Sequence, residues 1–191
     1  KDVAAYIFTS GTTGLPKAAL VDHAKLVKGS FAGHFLCFNF KTKDRLYMTL
    51  PLYHSTGLVL GWAASLRSGC ANIIKPKFSA SEFWDDVKKY KANKFIYVGE
   101  LCRYLMNLPA SETDKSNSIV QISGNGLRPD IWDSFQKRFN IKKIVEIYGA
   151  TEAVGMTVNS FGRSGMIGRK RSDSTITVSY THLRAHETFA N

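Results

Sequence analysis

The sequence YIFTSGTTGLPKA at residues 6–18 places several hydroxyl side chains, two glycines and a lysine in one short loop between two apolar runs. Glycines let a backbone turn so that its N–H groups converge on an anion, and Lys17 adds a positive charge. The loop therefore predicts a polyphosphate-binding site. The residues that we expect to contact the phosphates are Thr9, Ser10, Gly11, Thr12, Thr13, Gly14 and Lys17.

This loop is not the Walker A loop of P-loop NTPases. A Walker A loop has a longer spacer before a Gly-Lys pair, and a Ser or Thr after the lysine that holds magnesium. Here Pro16 precedes Lys17 and Ala18 follows it, which disfavours a simple P-loop NTPase. The structural alternative is a polar hairpin turn, because Gly-Thr-Thr-Gly suits a turn.

Short apolar runs alternate with helical patterns along most of the chain. This alternation favours an α/β fold with a largely parallel sheet flanked by helices. Strands are predicted near residues 4–9, 18–21, 45–48, 71–74, 94–98, 119–122 and 143–147. Helices are predicted near residues 23–36, 57–66, 80–90, 101–108 and 130–139.

Two further segments are PLYHSTG at residues 51–57 and EIYGATE at residues 146–152. Together with residues 9–17 they resemble, in order and spacing, the core motifs of the adenylate-forming enzymes. That superfamily includes acyl-CoA synthetases, nonribosomal peptide adenylation domains and luciferases. The segments at residues 78–86, 97–105 and 124–132 are most similar to the fatty acid transport protein branch, the very-long-chain acyl-CoA synthetases.

The resemblance implies a catalytic set of Lys17, His54, Thr151 and Glu152. His54 would lie beside the substrate carboxylate and orient it by protonation or hydrogen bonding. The alternative from the residue alone is a buried histidine that bonds to a backbone carbonyl.

The segment from Tyr148 to Glu152 follows an apolar strand, and loops after parallel strands line the usual ligand crevice. The resemblance implies that Tyr148 and Gly149 bind the adenine, that Thr151 donates to a phosphate or the acyl-adenylate, and that Glu152 binds Mg²⁺. One carboxylate together with phosphate oxygens and waters suits that ion. The alternatives are a core tyrosine and a solvated glutamate.

The segment Gly124, Asn125 and Gly126 follows a predicted strand and precedes a predicted helix. By resemblance it binds adenine, while a tight turn with positive φ is a compatible reading of Asn-Gly. In the segment at residues 97–105, Glu100 and Arg103 either line an acyl pocket or form an ion pair along a helix.

We predict two regions: a partial AMP-binding domain over residues 1–171, and a tail over residues 172–191. The tail contains VSYTHLRAHET at residues 178–188, which resembles a translated sequencing adapter, so we exclude it from the fold. Adenylate-forming enzymes are a few times longer than this chain, which predicts a fragment that is inactive alone.

The net charge of +11 favours anionic ligands such as ATP and CoA, or an anionic membrane surface. Basic residues are dispersed rather than clustered with aromatics, so we expect no specific nucleic-acid partner. Cys37, Cys70 and Cys102 are odd in number and far apart, which fits a reducing compartment. We expect a cytoplasmic or membrane-associated protein that is not secreted, at the endoplasmic reticulum or peroxisome if eukaryotic.

The resemblance implies a long-chain or very-long-chain fatty acid–CoA ligase. Such an enzyme uses Mg-ATP to convert a fatty acid to acyl-AMP, and then transfers the acyl group to CoA. Two alternatives remain: a fatty-acid binding or uptake component without chemistry, and an inactive truncated gene product. Lys17 and Glu152 argue against the first, because lipid binding alone requires neither residue.

Overall fold

The structure, a computed structural model, describes residues 2–9, 15–151 and 156–168. Strands in these residues form a two-stranded sheet of β1 (Val3–Thr9) and β2 (Lys17–Asp22), and a six-stranded sheet in the order β4-β3-β5-β6-β7-β8. The six strands are β3 (Arg45–Met48), β4 (Ala71–Ile74), β5 (Lys94–Val98), β6 (Gln121–Asn125), β7 (Lys143–Gly149) and β8 (Met156–Asn159).

Helices connect these strands. The α-helices are α1 (His23–Phe31), α2 (Ala64–Ser68), α3 (Ala80–Tyr90), α4 (Gly99–Met106) and α5 (Pro129–Arg138). Two π-helical segments (Ala32–Phe38 and Thr56–Ala63) and a short 3₁₀ turn (Glu112–Lys115) complete the helical structure of the described residues.

The large sheet confirms the predicted α/β fold. Strands β3 to β7 pair in parallel, and only the edge strand β8 runs antiparallel to its neighbour β7. The sequence analysis missed β8, because its four residues, Met156–Asn159, are too few to show a clear alternation of apolar and polar side chains.

Strands β1 and β2 were predicted, but they do not join the large sheet. They form an antiparallel hairpin in which Thr9 pairs with Lys17. The connection, residues 10–16, is shorter than the roughly dozen residues that a parallel crossover requires. The two strands therefore pair as the arms of a hairpin, while residues 10–14 of the connection lie outside the described residues.

Two of the predicted helices are partly π-helical. The first π-helical segment extends α1 to Phe38, and the second runs directly into α2. Gly33 lets the first π-helical segment pack closely against the second and against α2. A Cβ at position 33 would lie 2.7 Å from Ala64 Cβ and 2.8 Å from the Leu60 carbonyl oxygen.

Successive side chains of a strand point to opposite faces of its sheet, so neighbouring residues of β5 show which helix covers each face. The ring of Phe95 contacts Phe83 of α3, with centroids 4.8 Å apart. Its neighbour Ile96 lies against Gly61 of the second π-helical segment. Helix α3 and this π-helical segment therefore cover opposite faces, and the buried core lies on both sides of the sheet.

Candidate nucleotide site

The predicted site segments follow adjacent parallel strands. Residues 51–57 come after β3, Gly99 begins α4 directly after β5, and Gly126 follows β6. Tyr148 and Gly149 are the last two residues of β7. Since β3, β5, β6 and β7 are neighbours and parallel, these segments lie at one edge of the sheet, the usual ligand crevice of such folds.

At the predicted phosphate loop, the structure describes only the two ends. Thr9 Oγ1 donates to the carbonyl oxygen of Lys17 at 3.4 Å, and Lys17 is exposed at the start of β2. The predicted phosphate contacts Ser10, Gly11, Thr12, Thr13 and Gly14 lie outside the described residues.

Helix α1 connects this hairpin to the loop after β7. The helix begins directly after β2, where the Asp22 carboxylate accepts a hydrogen bond of 2.6 Å from the Lys25 backbone N–H. The Lys25 ammonium donates to the backbone carbonyl of Thr151. Sequence reasoning gave Lys25 no role, because the contact joins residues far apart in the chain.

His54 is exposed, so its interpretation as a buried core histidine is wrong. Its Nδ1 accepts a hydrogen bond of 3.3 Å from the backbone N–H of Thr56. The surrounding turn is tight, because a Cβ at Gly57 would lie 2.4 Å from the carbonyl oxygen of Pro51. The exposed imidazole therefore sits on a constrained turn.

A side-chain hydrogen bond joins two of the predicted motifs. Ser55 Oγ and Thr151 Oγ1 lie 2.9 Å apart, and both residues are half-buried. The segment that carries His54 and the segment that carries Tyr148 therefore meet at the sheet edge. Glu152, the predicted magnesium ligand and the next residue in the chain, lies outside the described residues.

The side chain of Tyr148 is 59% exposed, so its interpretation as a core tyrosine is wrong. Its backbone pairs with Thr157 of β8, and Gly149 pairs with Met156. This pairing fixes the end of β7 while leaving the aromatic ring accessible. An accessible ring at the sheet edge fits the face of an adenine base.

Gly124 and Asn125 are the last two residues of β6 rather than part of a tight turn, and the chain turns after them at Gly126. Gly126 has φ +82°, in the left-handed region that favours glycine, and Asn125 and Gly126 are exposed. Gly124 differs from this pair, because it is buried between Tyr97 of β5 and Glu146 of β7. Its missing side chain leaves room for protein atoms rather than for a nucleobase.

Sequence reasoning gave no role to Glu146, although the residue is 4% exposed and lies in the middle of β7. Its carboxylate accepts hydrogen bonds from Tyr97 Oη and from the backbone N–H groups of Gly126 and Leu127. Burial raises the pKa of Glu146 above its ordinary value, and the three donors act in the opposite direction. A charged residue within the apolar run IVEIY is the signal that sequence analysis could have used.

Glu100 and Arg103 form the ion pair that was one of their two interpretations. Arg103 Nε donates to Glu100 Oε2 at 3.0 Å, and both side chains are exposed. An exposed pair of this kind contributes little to stability. A role for these residues in an acyl pocket stays a prediction.

The three cysteines, Cys37, Cys70 and Cys102, are free and buried. Within residues 2–9, 15–151 and 156–168, no group of His, Cys, Asp and Glu side chains is arranged to hold a metal ion. In that same part of the chain, no helix has the length and apolar character needed to cross a membrane.

Comparison with known proteins identifies relatives of this chain. The family model described as "AMP-binding enzyme" matches residues 1–186. The chain is 47% identical over 168 residues to long-chain fatty acid transport protein 3 of Mus musculus, covering 88% of this chain and 25% of that protein. It is 43% identical over 161 residues to the medium/long-chain-fatty-acid–CoA ligase FadD6 of Mycobacterium tuberculosis, covering 84% of this chain and 27% of the ligase. The chain thus spans about a quarter of the length of the curated relatives it matches.

Solved structures agree with this assignment. The fold matches that of ATP-bound MatB from Rhodopseudomonas palustris with a TM-score of 0.77 and 26% identity, covering 87% of this chain and 33% of MatB. It also matches a benzoate CoA ligase from Burkholderia xenovorans with a TM-score of 0.75; at 19% identity this match shows the fold alone. The family match covers nearly the whole chain, and relatives above 40% identity align with most of it. The chain belongs to the AMP-binding enzyme family, with fatty acid transport proteins and fatty acid–CoA ligases among its relatives.

Proposed function

We propose that the protein carrying this chain is an ATP-dependent fatty acid–CoA ligase acting on long-chain or very-long-chain fatty acids. The observation that carries the proposal is the hydrogen bond between Ser55 and Thr151, which joins two predicted motifs at the ligand edge of the sheet. The names of the relatives and the ATP-bound state of MatB support the substrate classes.

The proposed reaction has two steps. In the first, a fatty acid carboxylate oxygen attacks the α-phosphorus of ATP, a new P–O bond forms, and pyrophosphate leaves. In the second, the thiolate of CoA attacks the acyl carbonyl, a thioester forms, and AMP leaves. Positioning of the reactants and stabilisation of the charge on the phosphate oxygens are the main contributions expected from the protein.

The predicted site residues are proposed to act in the first step. Lys17 and the backbone amides of residues 10–14 bind the outer phosphates, while His54 orients the carboxylate. Tyr148 stacks on the adenine, next to Gly149 and the Gly124–Gly126 segment. Thr151 donates to the α-phosphate or the acyl-adenylate. Magnesium, for which we propose Glu152 as the protein ligand, supplies Lewis-acid charge neutralisation when bound.

The direct test is product analysis with the full-length protein. Incubation with a long-chain fatty acid, ATP, Mg²⁺ and CoA should yield acyl-CoA, AMP and pyrophosphate in equal amounts. Release of ADP, or nucleotide turnover that does not depend on fatty acid, would contradict the proposal. A series of acids from medium to very long chain then defines the substrate class.

Fatty-acid uptake without chemistry is the second candidate function, and the transport-protein names of several relatives favour it. It is distinguished by the same assay, because a binding component retains fatty acid without consuming ATP. For either function we propose association with a membrane surface, supported by the net charge of +11. The compartments proposed are the cytoplasm and, in a eukaryotic cell, the endoplasmic reticulum or peroxisome.

The contact between Ser55 and Thr151 gives a prediction about activity. If Ser55 acts by orienting the Thr151 hydroxyl, Ser55→Ala should lower the adenylation rate severalfold, as expected for loss of one hydrogen bond. Thr151→Ala should cost about tenfold. The double variant should be no slower than Thr151→Ala alone, because Ser55 acts through Thr151. Steady-state rates of the four proteins measure this, and fully additive losses would show that the two residues act independently.

We also propose that the AMP-binding part of this chain ends near residue 171 and that residues 172–191 contribute neither packing nor a site. These residues lie outside the described part of the structure. Deleting residues 172–191 should leave the midpoint of thermal unfolding unchanged or higher. A clear fall in the midpoint would place the tail within the folded domain.

A further inference from the structure

The side chains of Tyr97 and Glu146 meet across Gly124. In the parallel register Gly124 pairs with Tyr97 on one side and with Glu146 on the other. Side chains at paired positions lie on the same face of a sheet. Tyr97 Oη donates to Glu146 Oε2 at 2.5 Å, and a Cβ at position 124 would lie 2.8 Å from Tyr97 Cγ. A glycine at position 124 therefore permits this hydrogen bond.

The second oxygen of the same carboxylate binds the turn that follows β6. Glu146 Oε1 accepts from the backbone N–H of Gly126 and, at 3.2 Å, from that of Leu127. The start of α4 closes on the turn from another side, because a Cβ at Gly99 would lie 1.7 Å from the Gly126 carbonyl oxygen. The exposed turn is thus anchored by hydrogen bonds to a buried carboxyl group and by close backbone packing.

We propose that Glu146 is a positioning residue for the nucleotide, which holds the Gly124–Gly126 segment at a fixed place relative to the Tyr148 ring. Glu146 and Tyr148 are two residues apart on β7, so their side chains lie on the same face of the sheet. Hydrogen bonds to a carboxyl oxygen in a buried site are stronger than the same bonds in water. This inference rests on the proposed function, in which this segment and the ring bind the adenine.

The test compares variants of the full-length protein. Glu146→Ala leaves two N–H groups and one hydroxyl without their acceptor, so we expect the KM for ATP to rise by about tenfold. The KM for fatty acid should stay unchanged. Glu146→Gln should restore a KM for ATP close to that of the wild type, because its carbonyl oxygen accepts from both amides and its NH₂ group donates to Tyr97 Oη.

A matched control is available at Asp86, another buried carboxylate that accepts a hydrogen bond from a tyrosine. Tyr47 Oη donates to Asp86 Oδ2 at 2.8 Å, and the Lys75 ammonium lies 2.8 Å from the same oxygen. Asp86→Ala should lower stability without changing the KM for ATP.

A second variant covers the case in which Glu146→Ala does not fold. Tyr97→Phe removes one of the three hydrogen-bond donors to Glu146, and its KM for ATP should rise severalfold.

Two outcomes separate this inference from the proposed function. Suppose that the wild-type enzyme is active and that folded Glu146→Ala has the same KM for ATP as the wild type. That result would overturn the positioning role alone. If Glu146→Ala does not fold, an unchanged KM for ATP in Tyr97→Phe would do the same. A wild-type protein without fatty-acid-dependent ATP turnover would contradict the proposed function and, with it, this role. Equal increases in the KM for ATP for Glu146→Ala and Asp86→Ala would also overturn the positioning role, because the effect would then be one of general destabilisation.

Discussion

Glu152→Gln is expected to lower fatty-acid-dependent pyrophosphate exchange by about a hundredfold in the full-length protein. The substitution keeps the size of the side chain and removes the charge proposed to hold magnesium. Pyrophosphate exchange reports only the first half-reaction, so a loss there locates the defect at adenylation. Raising the Mg²⁺ concentration should recover part of the rate, because a weakened metal site fills at higher concentration.

Two further variants serve as comparisons for the exchange rate of Glu152→Gln. Glu112→Gln makes the same change at an exposed position on the 3₁₀ turn and should leave exchange unchanged. Lys17→Ala should reduce exchange less than Glu152→Gln if backbone amides make most of the phosphate contacts. Exchange at the wild-type rate in both Glu152→Gln and Lys17→Ala would show that ATP binds elsewhere.

Gly124→Ala is expected to cause a large loss of stability. The added Cβ would lie 2.0 Å from the carbonyl oxygen of Tyr97, a backbone atom that cannot move without shifting β5. We expect the free energy of unfolding to fall by about 3 kcal/mol or more, at or above the upper range for overpacking. Chemical denaturation of the chain measures this change.

Gly69→Ala is the control for this prediction. Gly69 has φ +67°, but the nearest atom to its added Cβ would be 3.9 Å away. Its substitution should therefore cost only the backbone strain of a positive φ, about 1 kcal/mol. Similar losses at both positions would mean that β5 and β6 separate easily, and that Gly124 is not needed for their close approach.

The sequence predicted the large sheet well for a physical reason. Strands buried on both faces appear as short continuous apolar runs, and residues 95–98 are of this kind. The sequence analysis predicted the strands at residues 4–9 and 18–21 without stating which sheet they join, although their short connection favours an antiparallel pair. The π-helical segments were not predicted, because over so few residues their periodicity cannot be distinguished from that of an α-helix.

At the site, the sequence indicated where the motifs lie in the fold, but it did not indicate which side chains are in contact. The motifs named Tyr148, Thr151 and the Gly124–Gly126 segment, and the structure brings their strands to one edge. Glu146 lay inside a quoted motif, yet its function depends on Tyr97 and Gly126, which are distant in sequence. Such contacts between separate strands follow from the register of the sheet, which no local pattern specifies.

The most direct test of the proposed chemistry is fatty-acid-dependent exchange of labelled pyrophosphate into ATP, measured on the full-length protein without CoA. A ligase that forms acyl-AMP should incorporate label only when a long-chain fatty acid, ATP and Mg²⁺ are all present, and removal of any one should abolish exchange. A protein that binds fatty acid yet incorporates no label under these conditions would contradict the assignment of adenylation chemistry.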